Sequence, residues 1–377
     1  MSSSGTYDAI VVGLGGVGSA TLYQLASRGL SVLGIDRYSP PHTYGSSHGQ
    51  TRVFRTAYFE HPSYVPLLRR AADLWRLTEE HCGEELYHKT GLLEIGPRDG
   101  VVIPGILRSA AEFDLPIETM SMADAKDQFP GIEGPENWTA VVEAEAGFLA
   151  VEACIENHLA LAQQRGATVR YGTTVDQWKS VGDGMELRLG NDRVHAARVV
   201  LAGGPWSAQW LAKYEVELSI VRKHIYWYET HEQGYHQSSG FPCYFFETRD
   251  GFFYGTPAID DAGVKVARHS GGEQITDPEK HHTRDPQDQR QCESFLKTHL
   301  PKASQNQTHW SGCYYTVTPD EHFIIDHMPE MPHVTVVAGL SGHGFKFASV
   351  LGEIAAQSVV EESTEFDLDF LRLVRLL

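Results

Sequence analysis

The chain has 377 residues, 41% of them hydrophobic and 21% charged, which is enough for two domains or for one nucleotide domain with a large insertion. A formal charge of −18 sets the surface against nucleic acid and anionic membrane, so neither is expected as a partner. No run approaches membrane-spanning length, and neither a signal peptide nor a peroxisomal address is read. The five cysteines are scattered without a CxxC, so no disulfide framework and no metal site are expected, and the setting is taken as reducing and cytoplasmic.

In chain order, Asp8 to Val12 reads as a buried strand, Gly13-Leu-Gly15-Gly-Val-Gly18 as a turn, Ser19 to Arg28 as a helix, and Ser31 to Ile35 as a second strand ending in Asp36. Each piece has a task in dinucleotide binding. Gly13 permits a tight turn, Gly15 lets backbone approach a pyrophosphate, Gly18 lets helix and strand pack closely, and Asp36 is placed for ribose hydroxyls. The turn-rich Ser39–Gln50 stretch, followed by Arg52 and Arg55, predicts backbone and cations close to a ligand. Helical spacing runs from Tyr64 to His81, Gly91–Gly96 reads as a strand, and 104–113 and 121–129 as short helices.

Phe148 to Arg165 predicts a helix, and Thr168–Val175, Met185–Leu189 and Val194–Leu201 predict strands. The last of these runs into Gly203 and Gly204, a second place for backbone to meet a cofactor. Residues 218–310 look β-rich and aromatic, with strands at Ile225–Tyr228, Tyr244–Phe246, Phe252–Tyr254 and Val264–Val266; the polar 273–291 stretch reads as a surface loop leading into a helix. The aromatic runs are assigned to core in preference to a substrate pocket. Strands at Phe323–Asp326 and His333–Leu340, a loop at 339–344 and a helix from Phe345 to Val360 return the chain to an α/β pattern. The expected architecture is α/β: a Rossmann-like dinucleotide domain (1–85, 145–217, 312–377) with an inserted β-rich substrate domain (86–144, 218–311).

Period 2 puts Lys265, Ala267 and His269 on one strand face, with Tyr254 on a neighbouring strand. Each alone reads as an ordinary structural residue; together they suggest a site. Cys313 alone reads as a small buried hydrophobe. Lys346, in the first turn of the last helix, opposes the helix dipole and calls for an anionic partner.

Gly339-Leu-Ser-Gly-His-Gly-Phe-Lys-Phe-Ala-Ser349, Cys313-Tyr-Tyr-Thr316, Ser47-His-Gly-Gln-Thr-Arg52 and the N-terminal glycine turn together resemble the family of monomeric sarcosine, N-methyltryptophan and pipecolate oxidases, flavin amine oxidases of the D-amino-acid-oxidase-like group. The resemblance runs from Tyr7 to Arg375. It implies FAD, held covalently through Cys313, with contacts at Gly13, Gly15, Gly18, Asp36, Arg37, His48, Thr51, Arg52, Gly342, Gly344 and Phe345. It implies that Lys265 promotes reaction with oxygen, that Arg55 and Lys346 grip the substrate carboxylate, and that Tyr254, His269 and Tyr315 line the amine pocket.

The implied activity is oxidation of a secondary amino acid such as sarcosine by a monomer, with dioxygen reduced to hydrogen peroxide. Pipecolate or other cyclic imino acids and fructosyl-amino acids are alternative substrates; a flavin dehydrogenase of the same fold and a non-catalytic dinucleotide module are alternative functions. Gln50, Thr56 and Phe59 depart from the family pattern (commonly Asp, His and Gly) and are expected to neighbour the carboxylate clamp, so no one member's substrate is inherited.

Overall fold

A computed structural model describes residues 4–230, 233–279 and 283–377. The strand Ser4–Val12 lies in the middle of a mainly parallel sheet, flanked by Val32–Ile35 and then Thr168–Arg170 on one side and by Asp192–Leu201 and then Met331–Ala338 on the other. Ile324–Met328 adds an antiparallel edge, and the hairpin Gln177–Val181/Gly184–Leu189 pairs with the first half of Asp192–Leu201. The register decides where ligands go. Val12 pairs with both Ile35 and Leu201, so Gly13, Asp36 and Ala202 emerge side by side at the carboxyl ends of the strands. That is the crevice in which doubly wound sheets bind ligands. The helix Gly16–Ser27 packs against both Val151–Gln164 and Ala348–Val359, and the three share one apolar core with the sheet.

A nine-stranded mixed sheet holds Leu92–Pro97, Glu118–Ser121, Trp138–Glu143, Ser219–Thr230, Cys243–Thr248, Gly251–Thr256, Val264–Arg268, Glu273–Ile275 and the long Ala303–Val317. One face packs Tyr226, Tyr228, Tyr244, Phe246 and Phe253 against Phe295 and Leu296 of the helix Pro286–His299. The aromatic runs are therefore largely core, as expected. The other face carries Trp227, Ala267 and Cys313, with Tyr254 packed beside them.

Several sequence readings need correction. Phe148–Ala150 is strand, not the start of a helix: Gly147–Ala150 pairs with Thr51–Phe54 and with Tyr87–His88, and the helix begins at Val151. A Cβ on Gly147 would fall 2.0 Å from the His88 carbonyl, so the close strand pairing takes precedence over helical spacing. The Thr168–Val175 strand stops at Arg170, whose carbonyl accepts from Asp36 N–H, and beyond it Thr173 N–H donates to the Asp36 carbonyl. Trp138–Glu143 and Gln177–Val181 are strands that periodicity passes over, and His269 lies just beyond the end of its strand. The polar 273–291 stretch opens with a short strand and closes in the helix; its residues 280–282 lie outside those described.

Candidate active site

One cleft runs from the N-terminal glycine turn, past Asp36, Arg37 and the Gly203–Gly204 turn, to Gly342, Lys346, Tyr254 and His269. At its first end the site is built from backbone. Gly13 has φ +89°, and a Cβ there would meet the Ala202 carbonyl at 2.5 Å. A Cβ on Gly18 would lie 1.7 Å from the Gly13 carbonyl. Gly15 is different: an added Cβ finds nothing nearer than the Ser47 hydroxyl at 3.6 Å, so its backbone faces the open cleft. The helix that starts there has no side-chain cap and no acid in its first turn, which leaves its positive end to an anion. Asp36 is buried and accepts from Leu14 N–H (2.7 Å) and Tyr38 N–H (2.8 Å), which fixes its carboxylate at the cleft wall. Arg37 pairs with Glu279 and lies over the Trp206 ring.

The other end is built from charged side chains on distant segments. Arg55 and Lys346 both rest on the ring of Tyr58, with Arg55 Cζ 4.4 Å and Lys346 Nζ 5.1 Å from its centroid. Arg55 is also 4.3 Å from the Phe59 ring, and it donates from Nη2 to both oxygens of Glu60 (2.7 and 2.8 Å). Glu143 accepts from the Thr56 and Ala57 amides (2.7 and 3.0 Å), which fixes the turn that presents Arg55.

Lys346 Nζ donates to His343 O at 2.8 Å and is 3.5 Å from the Tyr58 hydroxyl. Burial, aided by Arg55, brings its pKa down to about 7. His343 Nε2 lies 3.1 Å from the Glu321 carbonyl and must carry the proton, so Nδ1 accepts from Tyr58 Oη at 2.5 Å. Burial and the Lys346 charge keep that imidazole neutral. His269 is likewise neutral, its pKa lowered to about 3 mainly by burial, with Nδ1 3.2 Å from the Tyr315 hydroxyl and its ring 6.2 Å from that of Tyr254. Burial also holds the Tyr254 and Tyr315 hydroxyls protonated.

The structure thus brings Arg52, Arg55, Tyr254, His269, Tyr315, Gly342, Gly344, Phe345 and Lys346 to one cleft with Gly13, Gly15, Asp36 and Arg37. His48, Thr51, Lys265 and Cys313 stand behind that wall. Lys265 Nζ lies 2.8 Å from Gly49 O, 2.6 Å from Thr51 O and 2.9 Å from Thr51 Oγ1; burial, helped by Arg52, depresses its pKa strongly. Cys313 is buried among Ile225, Trp227 and Ala267; desolvation raises its thiol pKa, against the pull of Arg52, Lys223 and Lys265. Of the three departures, Phe59 and Thr56 do adjoin Arg55. Gln50 does not: its side chain bridges Trp227 Nε1 and Asp260 (both 2.8 Å) on the Lys265 side.

Sequence reading missed Tyr58, Glu60, His343, Glu143, Phe245 and Glu94. Glu94 alone left a legible signal, an acid in the middle of the apolar strand Leu92–Pro97.

A sheet crevice ending in a glycine turn, with a charged pocket at its far end, defines a dinucleotide-dependent oxidoreductase. Residues 8–358 match the profile of the family described as FAD dependent oxidoreductase, and the chain belongs to that family. It is 36% identical over 375 residues to a monomeric sarcosine oxidase of Bacillus sp. (strain NS-129), covering 98% of this chain and 97% of the relative. It is also 36% identical over 372 residues to an N-methyl-L-tryptophan oxidase of Yersinia pestis (strain Pestoides F), covering 98% and 99%. The solved open form of NikD, an unusual amino acid oxidase essential for nikkomycin biosynthesis, superposes with a TM-score of 0.86 at 25% identity, covering 98% of this chain and 97% of that one.

The residues present fit FAD. The Gly15 backbone opens onto the cleft and the first helix end is uncapped. Among the described residues the buried Thr316 hydroxyl, on the cleft wall, has no hydrogen-bond partner. No described helix is long and apolar enough to cross a membrane, and no described cluster of His, Cys, Asp and Glu is placed to hold a metal.

Proposed function

We propose that this chain is an oxidase of secondary amino acids, sarcosine or other N-methyl amino acids, converting the N–C bond to an imine that hydrolyses in water, with dioxygen reduced to hydrogen peroxide. The observation that carries the reading is the pair of cations, Arg55 and Lys346, seated on one tyrosine ring at the end of the cleft that begins at the dinucleotide turn. Bound FAD supplies the two-electron acceptor and the link to dioxygen. Arg55 exchanges Glu60 for the substrate carboxylate, and Lys346 takes its other side. This fixes the amine over the Tyr254, His269 and Tyr315 wall. The amine has to be neutral to react, and the nearby charges of Arg52, Arg55 and Lys346 disfavour an ammonium there. Neutral His269 and the protonated tyrosines offer polar contacts without adding a charge.

Cys313 is assigned to a thioether with the flavin and Lys265 to the oxygen step, on the strength of their place on the same sheet face beside Tyr254. The five cysteines are unpaired, which supports a reducing, cytoplasmic setting, and the names of the sarcosine oxidases support a monomer. We also divide the chain between an FAD domain and an inserted substrate domain at the boundaries given above.

Peroxide release from sarcosine, N-methyltryptophan, pipecolate, proline and a fructosyl-amino acid, with primary amino acids as controls, tests the reading. Turnover of secondary amines alone is expected, and the ranking among them fixes the substrate. A flavin dehydrogenase is the second reading. In its favour, Lys265 stands behind the wall with its amine already engaged. Flavin reduction by the panel without peroxide would establish it.

A further inference from the structure

Three acids surround the Arg55 guanidinium, and they are not equivalent. Glu143 is satisfied by two backbone amides and Glu60 by Arg55 Nη2, which donates to both of its oxygens. Glu94, on the strand Leu92–Pro97, is fully buried. Its Oε1 is 3.8 Å from Arg55 Nε, and among the described residues neither of its oxygens has a hydrogen-bond partner. An ionised carboxylate out of water and without a hydrogen bond is costly; taking up a proton removes that cost. The charged groups facing it are Arg55 and Glu60 from the turn after Phe54, Glu143 from the strand Trp138–Glu143, and Lys346 from the segment after the last glycine loop. Tyr58, which both cations share, keeps its proton. The strand Cys243–Thr248 pairs Phe245 against Glu94.

We propose that Glu94 is a proton-linked gate on the carboxylate clamp. Neutral, it leaves the Arg55 charge available, so that the substrate carboxylate displaces Glu60. Ionised, it becomes a second resident counter-ion and repels the incoming carboxylate. Burial pushes the Glu94 carboxyl up to about 8; Arg55 opposes this, and Glu143 and Glu60 reinforce it. The gate therefore works just above neutrality, and carboxylate binding in that range draws one proton onto Glu94. Glu94 is a positioning residue that acts through Arg55, and the idea rests on Arg55 and Lys346 being the carboxylate clamp.

The test uses methoxyacetate, an isostere of sarcosine with no ionisable amine, titrated into flavin-loaded enzyme from pH 6.5 to 9.5. Flavin absorbance reports Kd, and an indicator dye in weak buffer reports proton uptake. Near pH 9 the wild type is expected to lose affinity about tenfold more per pH unit than Glu94→Gln, and to take up about one more proton per ligand bound. Glu94→Leu should behave as Glu94→Gln does. Equal slopes and equal uptake in wild type and variants overturn the gate and leave the clamp standing. Methoxyacetate failing to bind at any pH removes the clamp and the gate together. If neither variant retains flavin, the wild type decides alone: two protons taken up per ligand near pH 9 support the gate, and one overturns it.

Discussion

The two ends of the cleft solve opposite problems by opposite means. At the dinucleotide end, contiguous backbone does the work: Gly13, Gly15 and Gly18 fall within six residues, Gly13 and Gly18 have no side chain where the Ala202 and Gly13 carbonyls come close, and Gly15 opens its backbone to the cleft. At the amine end nothing is contiguous. Arg55, Glu60, Glu94, Glu143, Lys346 and His343 come from a turn, two strands and a loop spread over 292 positions of chain, and they meet as buried or part-buried titratable groups around Arg55 and the Tyr58 ring. The first end is set by backbone sterics. The second holds groups whose protonation depends on one another, so under the proposed function it is where pH and substrate choice are read.

Breaking the backbone end should cost most. Gly18→Ala forces a Cβ to within 1.7 Å of the Gly13 carbonyl, and a loss of about 3 kcal/mol or more, with little bound flavin, is expected from thermal unfolding and the visible spectrum. Normal flavin content in that variant would show that the turn is looser than described. Behind the cleft wall, Lys265→Met should slow reoxidation by about 100-fold in stopped flow while leaving the reductive half-reaction nearly unchanged. Equal slowing of both halves would remove the oxygen role.

At the amine end, Arg55→Lys keeps the charge but loses the fork and the stacking on Tyr58 and Phe59. An increase in KM of about 30-fold or more, with a smaller fall in kcat, is expected from steady-state assays. The mildest effect is that of pH. Lys346 must be charged to hold a carboxylate and its pKa is lowered to about 7, so affinity is complete below that value and declines as pH rises through it. The Lys346 share of the decline should be about tenfold per pH unit, and Lys346→Arg should abolish that share while leaving the Glu94 share above about pH 8, as read from methoxyacetate titrations. An unchanged profile in Lys346→Arg would mean that another group sets it.

The glycine turn, Asp36 and the 339–346 segment were legible because their chemistry depends on local spacing: a turn, a helix start and a strand end within one stretch. Lys265, His269 and Tyr254 were half legible. Period 2 gave the face, but two calculated neighbours on a strand do not reveal that Lys265 is capped by Gly49 and Thr51 from 214 to 216 residues away. Phe148–Ala150 was misread because helical spacing and strand pairing compete for the same apolar residues, and the partner strand at Thr51–Phe54 decides the matter.

By itself the sequence determined the dinucleotide crevice and the α/β pattern, because each is written in short-range order and backbone sterics; the residues proposed for the clamp came through the family resemblance. Only the tertiary structure decided that Glu60 occupies Arg55, that Lys346 titrates near neutrality, and that Glu94 lies dry beside the guanidinium. Burial and charge–charge distance set those properties, and both arise when distant segments pack together.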